Sequence, residues 1–179
     1  MDMYKLKWTI LQLDIFSLLC QKAGEKLSQR EIAGILKVSP TAVANSIKNL
    51  KNTELIKVEK TKTINFISFN RDNPKAIELK RAENLKNVYL SGLADYLERE
   101  LAGSTVILFG SYSFGEDAAG SDIDIAVIGS AEKEMDVKKF SRLLGRKISL
   151  NFYKSIDGIG KNLRENILNG IVISGSVKL

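Results

Sequence analysis

The 179-residue chain has no histidine, a single cysteine, two prolines and one tryptophan. Without histidine, Ser/His/Asp nucleophilic catalysis, imidazole general bases and the usual histidine-containing zinc sites are all excluded. Any catalysis must therefore fall to carboxylates and a hard metal ion. The lone Cys20 lies in an apolar helical pattern, so it forms no internal disulfide and reads as core filler. Long apolar runs are also lacking, since each ends well short of the roughly 18 residues that cross a bilayer. Asp14 interrupts the stretch from Trp8 to Cys20, so Met1-Asp-Met-Tyr-Lys is not followed by the h-region of a signal peptide. The expectation is a cytoplasmic protein with no membrane partner.

What is present suffices for one ordinary domain or two small ones, with 44% hydrophobic residues to fill a core. The formal charge of +6 is unevenly spread: the first 72 residues hold 12 Lys and Arg against 7 Asp and Glu, the remainder 15 against 14. A basic module beside a near-neutral one suggests an anionic partner for the first, with nucleic acid the leading candidate, although simple solubility accounts for a modest excess too.

The chemistry is concentrated between Thr105 and Gly129. Val106 to Phe109 and Ile123 to Ile128 are apolar, β-branched and bounded by glycine, as buried strands are, and they lie far enough apart for a crossover. Gly110-Ser111 ends the first; Asp122 and Asp124 open the second. Side chains two apart on a strand project from one face, so both carboxylates point into one volume. Such a pair persists most readily beside a divalent cation, and Mg²⁺ prefers one or two carboxylates with phosphate oxygens and water. Gly110 lets backbone approach a ligand, and Ser111 adds a hydroxyl and an N–H for phosphate. Alone, an Asp-x-Asp on a strand end or a Gly-Ser turn is commonplace.

In order and between two buried strands, Gly110-Ser111, ten residues, then Asp122-Ile123-Asp124 resembles the signature of the polymerase-β-like nucleotidyltransferase fold, in particular its minimal branch. Gly115, Gly120 and Ser121 also fall where that branch has glycine and serine. The resemblance implies that Gly110 and Ser111, with Ser121, bind the phosphates of a nucleoside triphosphate, with ATP the expected one. It further implies that Asp122 and Asp124 are the catalytic acids and hold Mg²⁺, in the family's two-ion arrangement. The chain departs from the family at the third carboxylate, expected on the next strand. Ser149 stands at the matching position in Ile148-Ser149-Leu150, followed on the same face by Asn151, and neither can serve as a general base or hold a metal as a carboxylate does. Glu116 or Asp117 in the loop is a candidate substitute.

Upstream, Trp8, Leu11, Ile15, Leu18 and Leu19 mark one face of a helix from Lys7 to Gln21. Ser28-Gln-Arg-Glu31 is a capping box that opens a second helix at Gln29, ending near Lys37 and burying Ile32, Ala33, Ile35 and Leu36. Ser39-Pro40 starts a third, running to about Asn52 and burying Val43, Ile47 and Leu50. Leu55 to Glu59 and Thr63 to Phe69, joined by Lys60-Thr61-Lys62, read as a β-hairpin. Three helices and a basic hairpin resemble a winged helix-turn-helix domain. That resemblance implies that the helix from Pro40 enters a DNA major groove with Thr41, Ala42, Asn45, Ser46 and Asn49 outward. Asn45 and Asn49 would reach base edges, and Lys48, Lys51, Lys60 and Lys62 phosphates. The same residues are also what the solvated face of an amphipathic helix looks like.

Asn70-Arg-Asp-Asn-Pro74 reads as a linker, and a helix from Lys75 to Leu101, weakened at Gly92, as a connector that pairs with a second subunit or packs on its own sheet. Helices over 132–144 and 156–169 and strands over 146–153 and 171–174 complete the chain. The expected class is α+β: a winged helix-turn-helix domain (1–72), a connecting helix (73–103) and a minimal α/β nucleotidyltransferase domain with a small mixed sheet (104–179). Two functions follow. One is nucleotidyl transfer from a triphosphate to an unknown hydroxyl acceptor. The other is a catalytically weak or inactive DNA-binding transcriptional regulator, or an antitoxin with a toxin-like protein partner, in which the second domain senses a nucleotide or makes a homodimer. Whether the chain is an enzyme stays open at this point.

Overall fold

The computed structural model describes residues 8–177, and the chain divides into two compact units, Met1–Lys80 and Arg81–Leu179. In the first unit α1 spans Ile10–Gln21. The Lys7 at which the sequence starts this helix lies outside the described residues. The helix begins at Ile10 because Thr9 caps it: its hydroxyl accepts from the Gln12 amide at 3.2 Å, and the Gln12 side chain accepts from the Thr9 amide at 2.9 Å. A two-residue strand, β1 (Leu27–Ser28), precedes α2 (Gln29–Leu36), which opens with the expected Ser28/Glu31 capping box. α3 (Pro40–Lys51) follows, with the Ser39 hydroxyl accepting from the Ala42 amide at 3.2 Å.

β2 (Ile56–Lys60) and β3 (Asn65–Phe69) form the antiparallel wing, and β1 adds to the other side of β3, giving the order β1-β3-β2. The strand β1 is too short for alternation to betray it. Ile15, Leu19, Ile32, Val43, Leu50 and Ile67 form the core. Ile35 is exposed, contrary to expectation, because the two turns of α2 bury only Ile32 and Ala33.

The segment read as a linker is pinned. Asn70 and Asn73 both donate their side-chain amides to the Glu54 carbonyl, at 2.7 and 3.1 Å, and Lys57 pairs with Asp72. Beyond it the single helix expected to Leu101 is two, α4 (Pro74–Leu90) and α5 (Leu93–Glu100), separated where Gly92 adopts φ +75°. The unit boundary falls inside α4, so the expected connector is shared: Ala76 and Ile77 pack into the first core and Val88 into the second.

The second unit holds β4 (Thr105–Phe109), α6 (Gly110–Phe114), β5 (Ile123–Ile128), α7 (Lys138–Leu144), β6 (Ile148–Tyr153), α8 (Lys161–Leu168) and β7 (Ile171–Ser174). Its sheet runs β6-β5-β4-β7 and is mixed: β5 and β6 are parallel, while β4 pairs antiparallel with both β5 and β7. The first two strands thus need no crossover; α6 and a loop return the chain directly. Both faces of the sheet are covered, which is why β4 and β5 read as continuous apolar runs. Ile123, Ile125 and Val127 enter one core cluster, Ile107, Phe109 and Ala126 another. The helix α7 starts at Lys138, later than residue 132, and is preceded by a turn in which the Asp136 carboxylate accepts from the Lys138 amide at 3.1 Å. Gly158 and Gly160 likewise delay α8 to Lys161.

Candidate active site and nucleic-acid interface

The antiparallel register sets Phe109 opposite Asp124, so the Gly110-Ser111 turn emerges beside the first acid of β5. Gly110 has φ +72°, and a Cβ built there would stand 2.8 Å from Asp124 Oδ2. The glycine is therefore required twice, by backbone conformation and by the close approach of the carboxylate. Gly110→Ala is expected to cost about 1–2 kcal/mol from the left-handed conformation alone, and to turn Asp124 out of its place. Denaturant unfolding checks the first, and a variant as stable as wild type refutes it.

Asp122 stands just before β5 and Asp124 within it, near enough for the charge of one to act on the other. Burial, and next the charge of Asp122, push the Asp124 carboxyl above its ordinary value, and Lys147 offsets this in part. Lys147 Nζ is 3.3 Å from Asp122 Oδ2, and the Ser149 hydroxyl donates to the same oxygen at 3.2 Å. The parallel register places Ser149 directly beside Asp124. The third position is thus where the sequence puts it, and it is neutral. Asn151 donates to the Ile125 and Ser149 carbonyls, at 3.4 Å each.

Asp117 is not a substitute base. It is buried, 2.7 Å from Arg146 Nη2, and accepts from Asn84 Nδ2 at 2.7 Å. Glu116 is exposed. The Ser121 hydroxyl accepts from the Ala118 amide at 3.0 Å and so helps to shape the turn ahead of Asp122, beside any role toward a phosphate. Arg146, Lys147 and Asn84 all escaped the sequence reading. Arg146 and Lys147 look like ordinary polar residues at a strand start, and Asn84 like one more polar residue on a mixed-charge helix.

Among the described residues no three His, Cys, Asp or Glu side chains cluster as a metal site. Two mutually repelling carboxylates beside a phosphate-approachable turn nevertheless fit Mg²⁺, which completes its shell with phosphate oxygens and water. A separate cleft of about 670 Å³ opens around Thr105 and Ile128. That is the opposite end of the β4–β5 pair, four residues or about 13 Å from Asp124.

In the first unit Thr41, Asn45, Lys48 and Asn49 project from α3 to solvent, with Lys51 at its end and Lys60 and Lys62 on the wing; all seven are exposed. Ser46, expected outward, is buried against the core, and Ala42 is half-buried. A groove of about 660 Å³ between the wing turn and the start of α2 is lined by Lys62 and also by Arg30, a basic residue that the capping-box reading had absorbed.

The family described as winged helix-turn-helix DNA-binding matches residues 9–57, and the family described as polymerase beta, nucleotidyltransferase matches residues 92–176. No curated protein sequence matches. Among solved structures, a point mutant of Lactococcus lactis ZitR is 24% identical, with 54% of this chain and 64% of that one covered and a TM-score of 0.41. Wild-type L. lactis ZitR in complex with DNA is 26% identical over 53% and 62% of the two chains, with a TM-score of 0.39. The S. aureus MepR–DNA complex is 20% identical over 52% and 78%, with a TM-score of 0.37. The chain thus spans less than two thirds of the length of these two ZitR chains. Among the described residues no helix is long and apolar enough to cross a membrane. With one family matched in each half, and in the order in which the two folds occur, the chain joins a winged helix-turn-helix domain to a polymerase-β-like nucleotidyltransferase domain.

Proposed function

We propose that this protein is a DNA-binding regulator whose nucleotidyltransferase fold binds a nucleoside triphosphate together with Mg²⁺ and turns it over slowly or not at all. The observation that carries this reading is Ser149. It occupies the register position beside Asp124 and spends its hydroxyl on Asp122. Asp117, the buried carboxylate of the loop, is committed to Arg146. The site therefore keeps the features that bind and lacks the one that would take a proton.

Gly110 and Ser111 would receive the terminal phosphates through backbone N–H groups and the Ser111 hydroxyl, and Asp122 and Asp124 would hold the ion. When bound there, Mg²⁺ would neutralise negative charge on the phosphate oxygens. In the transfer reading, an acceptor hydroxyl bonds to the α-phosphorus, the bond to the bridging oxygen breaks and pyrophosphate leaves. The hydroxyl proton passes to solvent, since Ser149 is neutral and Asp117 is committed to Arg146. Without that base the rate is lower by about 10²- to 10⁴-fold.

The second reading, an enzyme acting on a particular acceptor, is favoured by the intact Asp pair. Incubation with ATP labelled in its α-phosphate, with and without cell lysate, separates the two: binding without transfer supports the regulator, and label on an acceptor supports the enzyme.

For the first unit the reading is duplex DNA, with α3 in the major groove and the wing lysines on the backbone. If Lys48, Lys51, Lys60 and Lys62 each neutralise one phosphate, affinity per chain falls with a log–log salt slope near −3.6, roughly 10²-fold between 50 and 200 mM salt. Fluorescence anisotropy on a duplex measures that slope, and binding indifferent to salt removes the assignment.

A further inference from the structure

A buried charge pair stands between the two halves of the nucleotide site. Arg146 and Asp117 have side chains only 4% and 0% exposed and meet at 2.7 Å. Taking two charges out of water costs several kcal/mol per ion, and an apolar pair of the same volume is often as stable or more so. Stability alone is thus a weak reason for this pair. What arginine offers beyond charge is a planar fork of five donors in fixed directions.

Each branch of the fork is occupied. Nη2 faces Asp117 Oδ2, while Nη1 donates to the Ala118 carbonyl and, at 3.2 Å, to the Ser121 carbonyl. Ser121 immediately precedes Asp122, and its amide closes the turn by donating to the Ala118 carbonyl at 3.0 Å. In the other direction Asp117 Oδ1 accepts from Asn84 Nδ2, which also donates to the Tyr112 carbonyl at 2.9 Å. Tyr112 lies in α6, the helix that begins with Gly110-Ser111, and its hydroxyl returns to the Asn84 carbonyl at 3.4 Å. The Arg146 guanidinium also lies 5.6 Å from the centre of the Tyr112 ring. A continuous chain of bonds therefore runs from the phosphate turn through Asn84, Asp117 and Arg146 to the residue that presents Asp122.

We propose that Arg146 is a positioning residue for nucleotide binding: its fork, anchored on Asp117 and through it on Asn84, fixes the 117–121 loop so that Asp122 is held in register with Asp124 and the Gly110-Ser111 turn. The proposal rests on the nucleotide reading given above. It assigns these three residues to the alignment of the site, with none of them touching the ligand.

Arg146→Lys keeps a positive charge for Asp117 but cannot span Asp117, Ala118 and Ser121 at once. In the full-length chain, calorimetry with ATP and Mg²⁺ is expected to show a loss of about 10- to 100-fold, the range for groups that orient the residues binding a metal. The amides of residues 118–122 should exchange hydrogen faster, with the melting temperature of the chain nearly unchanged. A purely structural role predicts the reverse, affinity that falls only as far as stability does. A folded Arg146→Lys chain that binds ATP and Mg²⁺ as tightly as wild type overturns the proposal. Should that variant fail to fold, Asn84→Ser leaves the ion pair in place and is expected to weaken binding in the same direction; unchanged affinity there overturns the proposal equally. A wild-type chain that binds no ATP with Mg²⁺ instead defeats the nucleotide reading itself, and the positioning role with it.

Discussion

Replacing Asp122 and Asp124 together by asparagine is expected to abolish the joint binding of ATP and Mg²⁺, weakening it by at least about 100-fold, or about 2.7 kcal/mol. Among the described residues no third acid clusters with these two carboxylates, and amide oxygens are far poorer ligands for so hard a cation. The same variant has a second signature. Folding raises the Asp124 carboxyl above its ordinary value, through burial and then through Asp122. A raised acid favours the protonated native state: its contribution to stability is fully present below the ordinary carboxylate value and is lost as pH rises through the raised one. Near neutrality the ionised Asp124 therefore burdens the fold. The double variant should melt at or above the wild-type temperature at pH 7, and that advantage should fade toward about pH 4. Binding lost with stability kept or gained is the mark of a ligand site. A variant that binds ATP and Mg²⁺ undiminished eliminates the site.

That pairing of acids was legible in the sequence because alternation along a strand needs no knowledge of the fold. The same holds for the two serine caps, Ser28 and Ser39, which local rules placed and which are found there; Ser149 was singled out by the family resemblance, and the parallel register sets it beside Asp124. Direction was not legible. Val106 to Phe109 and Ile123 to Ile128 are apolar on both faces whether they run parallel or antiparallel, and only the path of the 13 residues between them makes the pair antiparallel. Short elements were lost for a related reason, since β1 has two residues and shows no period. The Asn84, Asp117 and Arg146 network was invisible because its members lie 29 to 62 residues apart and no spacing rule connects them. Asp117 was weighed as a spare acid for want of the partner that consumes it. The inward turn of Ser46 shows the limit of a helical wheel, which fixes direction but not how closely the neighbouring elements approach.

The converse of removing acids is to supply the missing one. Ser149→Asp places a carboxylate on β6 directly beside Asp124, in the parallel register that the strand already holds. Ser149 is half-buried, so the longer side chain has room to face the same volume. It removes the hydroxyl that now donates to Asp122 and adds a group able to accept the proton of an attacking hydroxyl. In the metal-free chain three carboxylates repel, so the variant should melt below wild type and recover as Mg²⁺ and nucleotide are added, in contrast to the asparagine variant. If the fold is that of a transferase short of its base, nucleotidyl transfer to the acceptor found with labelled ATP, or to water where none is found, should rise by about 10²- to 10⁴-fold. A recovery of stability with ATP and Mg²⁺ but no gain in transfer would mean that the site is built to hold its nucleotide, and that the deficit lies in presenting an acceptor. No recovery at all would mean that β6 does not face the ion, and the account of Ser149 as the vacant catalytic position would fall.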